Sequence, residues 1–226
     1  MIFNKFFILF KIGRKIGKSN IINIVSETHK IPVFIKLFFN LLAFSFSSSN
    51  NTKSKGKENL SESIQEMGTT FIKLGQFLAT RPDIIGEKLS KELESLQDKL
   101  PPFSKKEAEK IIIENLGQSN FDDIIDLSEP IAAASIAQVH KAKIKEDNII
   151  KNVAIKVLRP NIKKIFNDEI DAIMLLAYIV ESLISKTKRL KLIEVVFLFK
   201  EITNHEMDLR FEAAAANEYA ENTKND

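Results

Sequence analysis

Cysteine and tryptophan are absent from the 226 residues of this chain. Without cysteine there are no disulfides, no thiolate nucleophiles, no iron–sulfur clusters and no Cys-ligated zinc. That composition is compatible with a reducing compartment. Histidine occurs only at His29, His140 and His205, too scattered for a His-built metal site. Seven Gly and six Pro are few for an all-β protein rich in tight turns, so the composition leans helical. No run reaches the ~18–20 uncharged apolar residues of a membrane-spanning helix. What the chain does have is 44% apolar residues, enough for a packed core.

The formal charge of +3 is unevenly spread. Residues 1–60 carry ten Lys/Arg against two Asp/Glu, whereas residues 61–226 are mildly acidic. Nine of the 17 Phe lie in the first 50 residues. Phe beside Lys suits a lipid headgroup layer better than a phosphodiester backbone. No aromatic–basic stacking array or recognition-helix pattern accompanies the basic start, so nucleic acid is not an expected partner.

Residues 1–50 therefore read as basic, Phe-rich, membrane-facing helices, with apolar runs at Ile2–Ile12 and Ile31–Phe46. The alternative is two core helices of the body. The polar stretch Ser47–Lys57 lacks periodicity and reads as a linker, with residues 51–59 dividing the preface from the body. From Leu60 to Thr80, Leu60, Ile64, Met67, Phe71, Leu74 and Leu78 step by three and four, which predicts one helix with a buried stripe. Ser63 and Glu66 have capping-box spacing near its start, and Pro82 ends it. A second helix carries Leu89, Leu93, Leu96 and Leu100 up to Pro101-Pro102. Ser104 and Glu107 open a third, which Gly117 closes. The period then changes. Ile131–Ile144 and Val153–Leu158 predict an antiparallel hairpin around a charged turn at Lys145–Asn152. Asn161–Ser185 and Leu190–Glu221 return to helix.

Four places could carry chemistry. In Val153-Ala154-Ile155-Lys156, strand alternation puts Val153, Ile155 and Val157 on one face and Lys156 on the other. In protein kinases this tetrapeptide holds the Lys that grips the α- and β-phosphates of ATP, although a surface Lys on an edge strand would look the same. Kinases precede that strand with G-x-G-x-x-G-x-V. Here the glycine positions, counted back from Val139, are Ala132, Ala134 and Ala137. Alanine adds a Cβ and disfavours φ > 0, so such a loop holds phosphates differently, and more stiffly, than glycine does. Upstream, Lys73 and Gln76 in Lys73-Leu74-Gly75-Gln76 share a helix face, which a merely solvated polar face would also explain. Downstream, Glu206, Asp208 and Glu212 lie in the last helical stretch. On one continuous helix Glu206 and Glu212 would point apart, while Asp208 and Glu212 would share a face.

With these motifs in this order, and with the surrounding T-F-I-K-L-G-Q-F-L-A-T-R-P-D and S-I-A-Q-V-H, the chain resembles the UbiB-type atypical kinase family. That group is linked to ubiquinone biosynthesis in bacteria and to coenzyme Q in mitochondria. The resemblance covers roughly residues 60–225. It implies an α+β fold, with a protein-kinase-like N-lobe of a small antiparallel sheet plus helices at 121–226. A helical extension bearing K-x-G-Q would occupy 60–120. Lys156 would contact nucleotide phosphates and pair with Glu212, beside a loop of Ala132, Ala134, Ser135, Ala137 and Val139. Lys73 would cross the active site toward Glu206 and block the place where a protein substrate would dock, with Lys73, Gln76, Glu206 and Asp208 as the catalytic set. ATP or ADP with Mg is the implied cofactor. No H-x-D-x-x-x-x-N and no D-F-G occurs in the sequence, so the C-lobe and its metal ligands are expected to be missing from this chain. The expected setting is peripheral, at the cytoplasmic face of the inner membrane. The expected partners are that lipid surface, proteins of ubiquinone biosynthesis and a separately encoded C-terminal half. The rival reading is a non-catalytic, membrane-associated scaffold or lipid-binding module that keeps the fold without the chemistry.

Overall fold

The computed structural model describes residues 2–19, 21–22, 60–98, 100–146 and 149–224. In chain order the helices before the sheet are α1 (Ile2–Lys18), α2 (Leu60–Met67), α3 (Thr69–Ala79), α4 (Pro82–Ile85), α5 (Glu87–Glu94), α6 (Lys105–Leu116) and α7 (Gln118–Asp122). The strands are β1 (Ile124–Ile125), β2 (Pro130–Ala133), β3 (Ala137–Glu146) and β4 (Ile149–Leu158). After them come α8 (Ile162–Leu183), a 3₁₀ turn at Ser185–Leu190, α9 (Leu192–Glu206) and α10 (Leu209–Asn222). Two compact units are formed, Met1–Gln97 with Lys164–Glu201, and Asp98–Lys163 with Ile202–Asp226.

The first unit is helical. On α1, Ile8, Leu9, Ile12 and Ile16 pack with Met67, Phe71 and Ala172, while Phe6, Phe7 and Phe10 stay exposed. One face of this helix is therefore core and the other open. Lys5 fastens it to Asp171 at 2.9 Å, and the Lys15 ammonium donates to the Met67 carbonyl at 2.9 Å. No helix among the described residues is long and apolar enough to cross a membrane. The second apolar run, Ile31–Phe46, and the linker at 51–59 lie outside the described residues.

The single helix expected over Leu60–Thr80 is two. Gly68 at φ +99° ends α2 and opens α3, a conformation that a side chain would resist. The Ser63–Glu66 spacing is no cap, because Ser63 lies inside α2 and is buried. Leu60, Leu89 and Leu93 form a second small core. The helix bearing Leu89 ends at Glu94, so Leu96 and Leu100 follow it rather than extend it. Phe166 of α8 and Phe199 of α9, each 1% exposed, meet edge to face at 5.6 Å.

The second unit holds the sheet, and every pairing in it is antiparallel. β4 pairs along the whole of β3, from Ala137↔Leu158 to Glu146↔Ile149. β1 and β2 share the opposite edge of β3, at Ile144–Lys143 and at His140–Gln138. The run Ile131–Ile144 is thus two strands, broken at Ala134–Ile136, not one. The charged stretch Lys145–Asn152 is largely strand, because the chain reverses between Glu146 and Ile149. Ala108 and Ile112 of α6 pack with Leu127, Ala142 and Val157, with Val153 and Ile155 alongside. That covers one face of the sheet, and the alternation read from the sequence sets which face. Ser104 caps α6 by accepting from the Glu107 amide at 3.3 Å, and Gly117 closes it at φ +83°, as the spacing predicts.

The final helical stretch also breaks. α9 ends at Glu206, Met207 is buried, and Asp208 leaves helical geometry to cap α10. Asp208 and Glu212 therefore do not share a helix face, and Glu206 and Glu212 belong to different helices. No residue of α10 is buried. Its run Ala213–Ala216 supplies strong intrinsic helix propensity where packing supplies little.

Candidate functional site

Lys156 stands on the uncovered face of β4, directly opposite Val139 of β3. Its neighbours Ile155 and Val157 point to the α6 side, so alternation alone turns the ammonium outward. It donates to Glu212 Oε2 at 2.6 Å, with the two side chains 36% and 59% exposed. An ion pair this exposed stabilises a fold by about 0–1 kcal/mol. What it does is fix position. Glu212 lies in the first turn of α10, so the pair ties that helix to the strand and aims the lysine.

The alanine positions surround the β2–β3 turn. Ala132 pairs with Val139 and is exposed, Ala134 is half-buried, and Ser135 and Ala137 are buried. Among the described residues only Asp126, Asn161 and Lys191 take positive φ outside glycine. The turn is therefore built without a left-handed residue, as alanine requires. Its polar backbone atoms are engaged internally. The Ala134 amide donates to Ala137 O at 2.8 Å, and the Ser135 amide to Asp98 Oδ1 at 3.0 Å. The Ala134 carbonyl accepts from Arg159 Nε at 3.0 Å and from Nη2 at 2.7 Å. Arg159 also donates to Pro101 O at 3.0 Å and Leu100 O at 3.3 Å. Burial lowers the pKa of this guanidinium below its ordinary value, and the charge of Asp98 partly offsets the shift.

Behind the turn lies a saturated polar network. Gln138 accepts from the Phe103 amide at 2.9 Å and donates to its carbonyl at 3.1 Å. The same amide group donates to His140 Nε2 at 2.9 Å, and His140 Nδ1 donates to Ser128 O at 2.8 Å. Gln138 is 1% exposed and His140 0%. The S-I-A-Q-V-H run thus ties the segment around Pro101 to the sheet. Asp98 and Arg159 carried no motif of their own in the sequence. The only sign was charge beside proline at Leu158-Arg159-Pro160 and before Pro101-Pro102.

At the start of α10, Asp208 accepts from the Arg210 amide at 3.2 Å and from its Nε at 2.8 Å. The Arg210 side chain holds the Asp208 pKa down to about 2. Glu206, the last residue of α9, is exposed.

The remaining expected residues lie in the other unit. Lys73 of α3 is 9% exposed and Gln76 half-buried, so Lys73 is not part of a solvated polar face. A lysine this deep is rare without anionic or carbonyl partners. Gly75 between them meets the core. A Cβ there would sit 2.6 Å from the Leu96 side chain, so this glycine serves close packing.

A four-stranded antiparallel sheet with one covered face, carrying a lysine paired to a helix glutamate on the other, is the architecture of a kinase-like N-lobe. Similarity to known proteins agrees. The family described as ABC1 atypical kinase-like domain matches residues 95–226. "Probable protein kinase UbiB" of Marinobacter nauticus is 35% identical over 197 residues, covering 87% of this chain and 35% of that protein. The protein of the same name from Pseudomonas paraeruginosa is 32% identical over 216 residues, covering 95% of this chain and 40% of that protein. The one from Vibrio cholerae is 38% identical over 171 residues, covering 74% and 31%. The chain belongs to the ABC1 atypical kinase-like family, the group that includes the proteins named UbiB. It spans about two-fifths or less of the length of these relatives.

Proposed function

We propose that the second unit is the nucleotide-binding lobe of a UbiB-like atypical kinase or ATPase that supports ubiquinone biosynthesis. The observation that carries this reading is the Lys156–Glu212 pair at 2.6 Å on the strand opposite Val139, next to the alanine turn. Lys156 presents a fixed, partly solvated cation, the chemistry that α- and β-phosphates need. Glu212 keeps that ammonium on the strand's open face when no anion is present. ATP or ADP would be the bound nucleotide, with the γ-phosphoryl of ATP as the group transferred and ADP left behind, and Lys156 with the backbone around Ala132, Ala134, Ser135, Ala137 and Val139 would hold the phosphates. Among the described residues no group of three or more acidic or histidine side chains could hold a metal ion, so no magnesium ligand is assigned. Membership of the family suggests catalytic roles for Glu206 and Asp208 in this unit, and for Lys73 and Gln76 in the other.

Titration of the 226-residue chain with MgATP and MgADP tests this. Lys156→Ala is expected to weaken both at least tenfold while leaving the unfolding midpoint nearly unchanged. Equal affinity for wild type and variant would sink the reading.

The proposed setting is the cytoplasmic face of the inner membrane, with the lipid surface, ubiquinone-biosynthesis proteins and a chain bearing the rest of the kinase fold as partners. Exposed Phe6, Phe7 and Phe10, with the Lys11 ammonium 4.5 Å over the Phe7 ring, favour α1 as the lipid-facing element. A purely scaffolding role would rest on the same face. Flotation with anionic vesicles should fall when Phe6, Phe7 and Phe10 are all changed to Ser. Unchanged flotation would remove α1 from the membrane argument.

A further inference from the structure

The turn that should cradle phosphates is already holding an anion. The Ser135 amide, at the centre of the β2–β3 turn, donates to the Asp98 carboxylate at 3.0 Å. The amide before it, at Ala134, is taken by Ala137 O. The carbonyls of Ala134 and Ile136 are taken by the side chain and the backbone amide of Arg159. In a glycine-rich loop such amides are the groups that receive phosphate oxygens. A carboxylate and a phosphate are both charged acceptors and compete for the same donor.

We infer that Asp98 occupies the phosphate position at the alanine turn and is a specificity-determining residue, opposing nucleotides in proportion to the charge of their phosphate chain. This rests on the reading of the turn as part of a nucleotide site. Two effects act in one direction. A phosphate reaching the Ser135 amide must displace Asp98, and while Asp98 stays its charge lies within a few ångströms of any phosphate placed there. Arg159 strengthens the consequence. Its guanidinium grips the same turn through Ala134 O, so loss of the Asp98 charge leaves a cation beside the phosphate path. Asp98 needs no contact with the base or the sugar for this, so the signature is dependence on phosphate number.

The test is titration of the full chain with MgATP, MgADP and adenosine, for wild type and for Asp98→Asn. Asparagine keeps an oxygen acceptor for the Ser135 amide and removes only the charge. MgATP affinity is expected to rise about tenfold, MgADP affinity by less, and adenosine affinity not at all, the size following from unit charges a few ångströms apart near a protein surface. A purely structural Asp98 would shift all three equally. Equal shifts, or none, overturn the inference and leave the nucleotide reading standing. Failure of wild type and variant alike to bind either nucleotide overturns the nucleotide reading and this inference with it. Amide exchange in the wild type gives a check that needs no variant. The Ser135 amide should be protected without ligand and change on saturation with MgATP, and an amide indifferent to MgATP would overturn the displacement.

Discussion

The two faces of the sheet in the second unit are built on opposite rules. On the covered face Gln138 and His140 are sealed, with their hydrogen-bonding side-chain atoms paired, and Ala108, Ile112, Ala142 and Val157 close around them. On the other face Lys156 meets Glu212 in partial solvent, and the helix bearing Glu212 has no buried residue. Burial makes each hydrogen bond on the first face expensive to leave unmade. Solvent makes the ion pair on the second cheap to break. The first face can therefore set stability, and the second can exchange partners without unfolding anything.

The largest expected effect breaks the covered face. Gln138→Leu removes an acceptor and two donations at once, leaving the Phe103 amide and carbonyl and His140 Nε2 without their partner. At about 1–3 kcal/mol per orphaned buried group, the loss should reach about 3 kcal/mol or more. Urea unfolding measures it. A loss under about 1 kcal/mol would mean that water replaces the glutamine and that the face is not sealed. The matching change on the open face is Glu212→Gln. Stability should move by about 0.5 kcal/mol or less, as for other exposed pairs, while MgATP affinity falls severalfold because Lys156 is no longer aimed. If the order of the two variants in urea were reversed, the contrast between the faces would be wrong.

That contrast was only partly legible in the sequence. Alternation along Val153–Leu158 fixed which way Lys156 points, and the run of two β-compatible segments announced a hairpin, while the Val139–Lys156 register came from the structure. Ser104 and Gly117 marked the ends of α6 because caps are local chemistry. What stayed hidden was long-range or left local periodicity intact. Nothing near Gly68 announced that it would sit at φ +99° and split a helix whose apolar steps ran on unbroken. Met207 and Asp208 interrupt the last helix for a similar reason. Burial of Met207 is a tertiary choice, and the helical pattern ran on through it and through Asp208, which hid a cap that is itself local. Asp98 and Ser135 are 37 residues apart, and Arg159 lies 58 residues from Pro101. Such contacts leave no periodic trace; Lys156 and Glu212, 56 residues apart, were paired only through the family resemblance, which said nothing of the clamp on the turn.

The smallest effect sharpens the open face, by asking what holds α10 in place when packing does not. Asp208 caps the helix and is paired with Arg210, which holds its pKa at about 2 against an ordinary 3.8. A carboxyl depressed in the folded state contributes stability that is fully present above the unfolded value and is lost as pH falls through the folded one. The contribution should therefore be complete above about pH 4 and fade toward about pH 2. Its partner Arg210 is 89% exposed, so salt should weaken the pair further. Comparing wild type with Asp208→Asn in urea across that range isolates it. The difference in midpoint should stay flat above pH 5, shrink on acidification and be smaller at high salt. Helix content should follow the same course, since this cap opens α10, while the Lys156–Glu212 pair and the stacking of Phe211 on His205 at 5.1 Å hold it from the side. A difference that grew on acidification would mean that Asp208 is destabilising when ionised, and α10 would then owe its position to the Lys156–Glu212 pair and to Phe211 against His205.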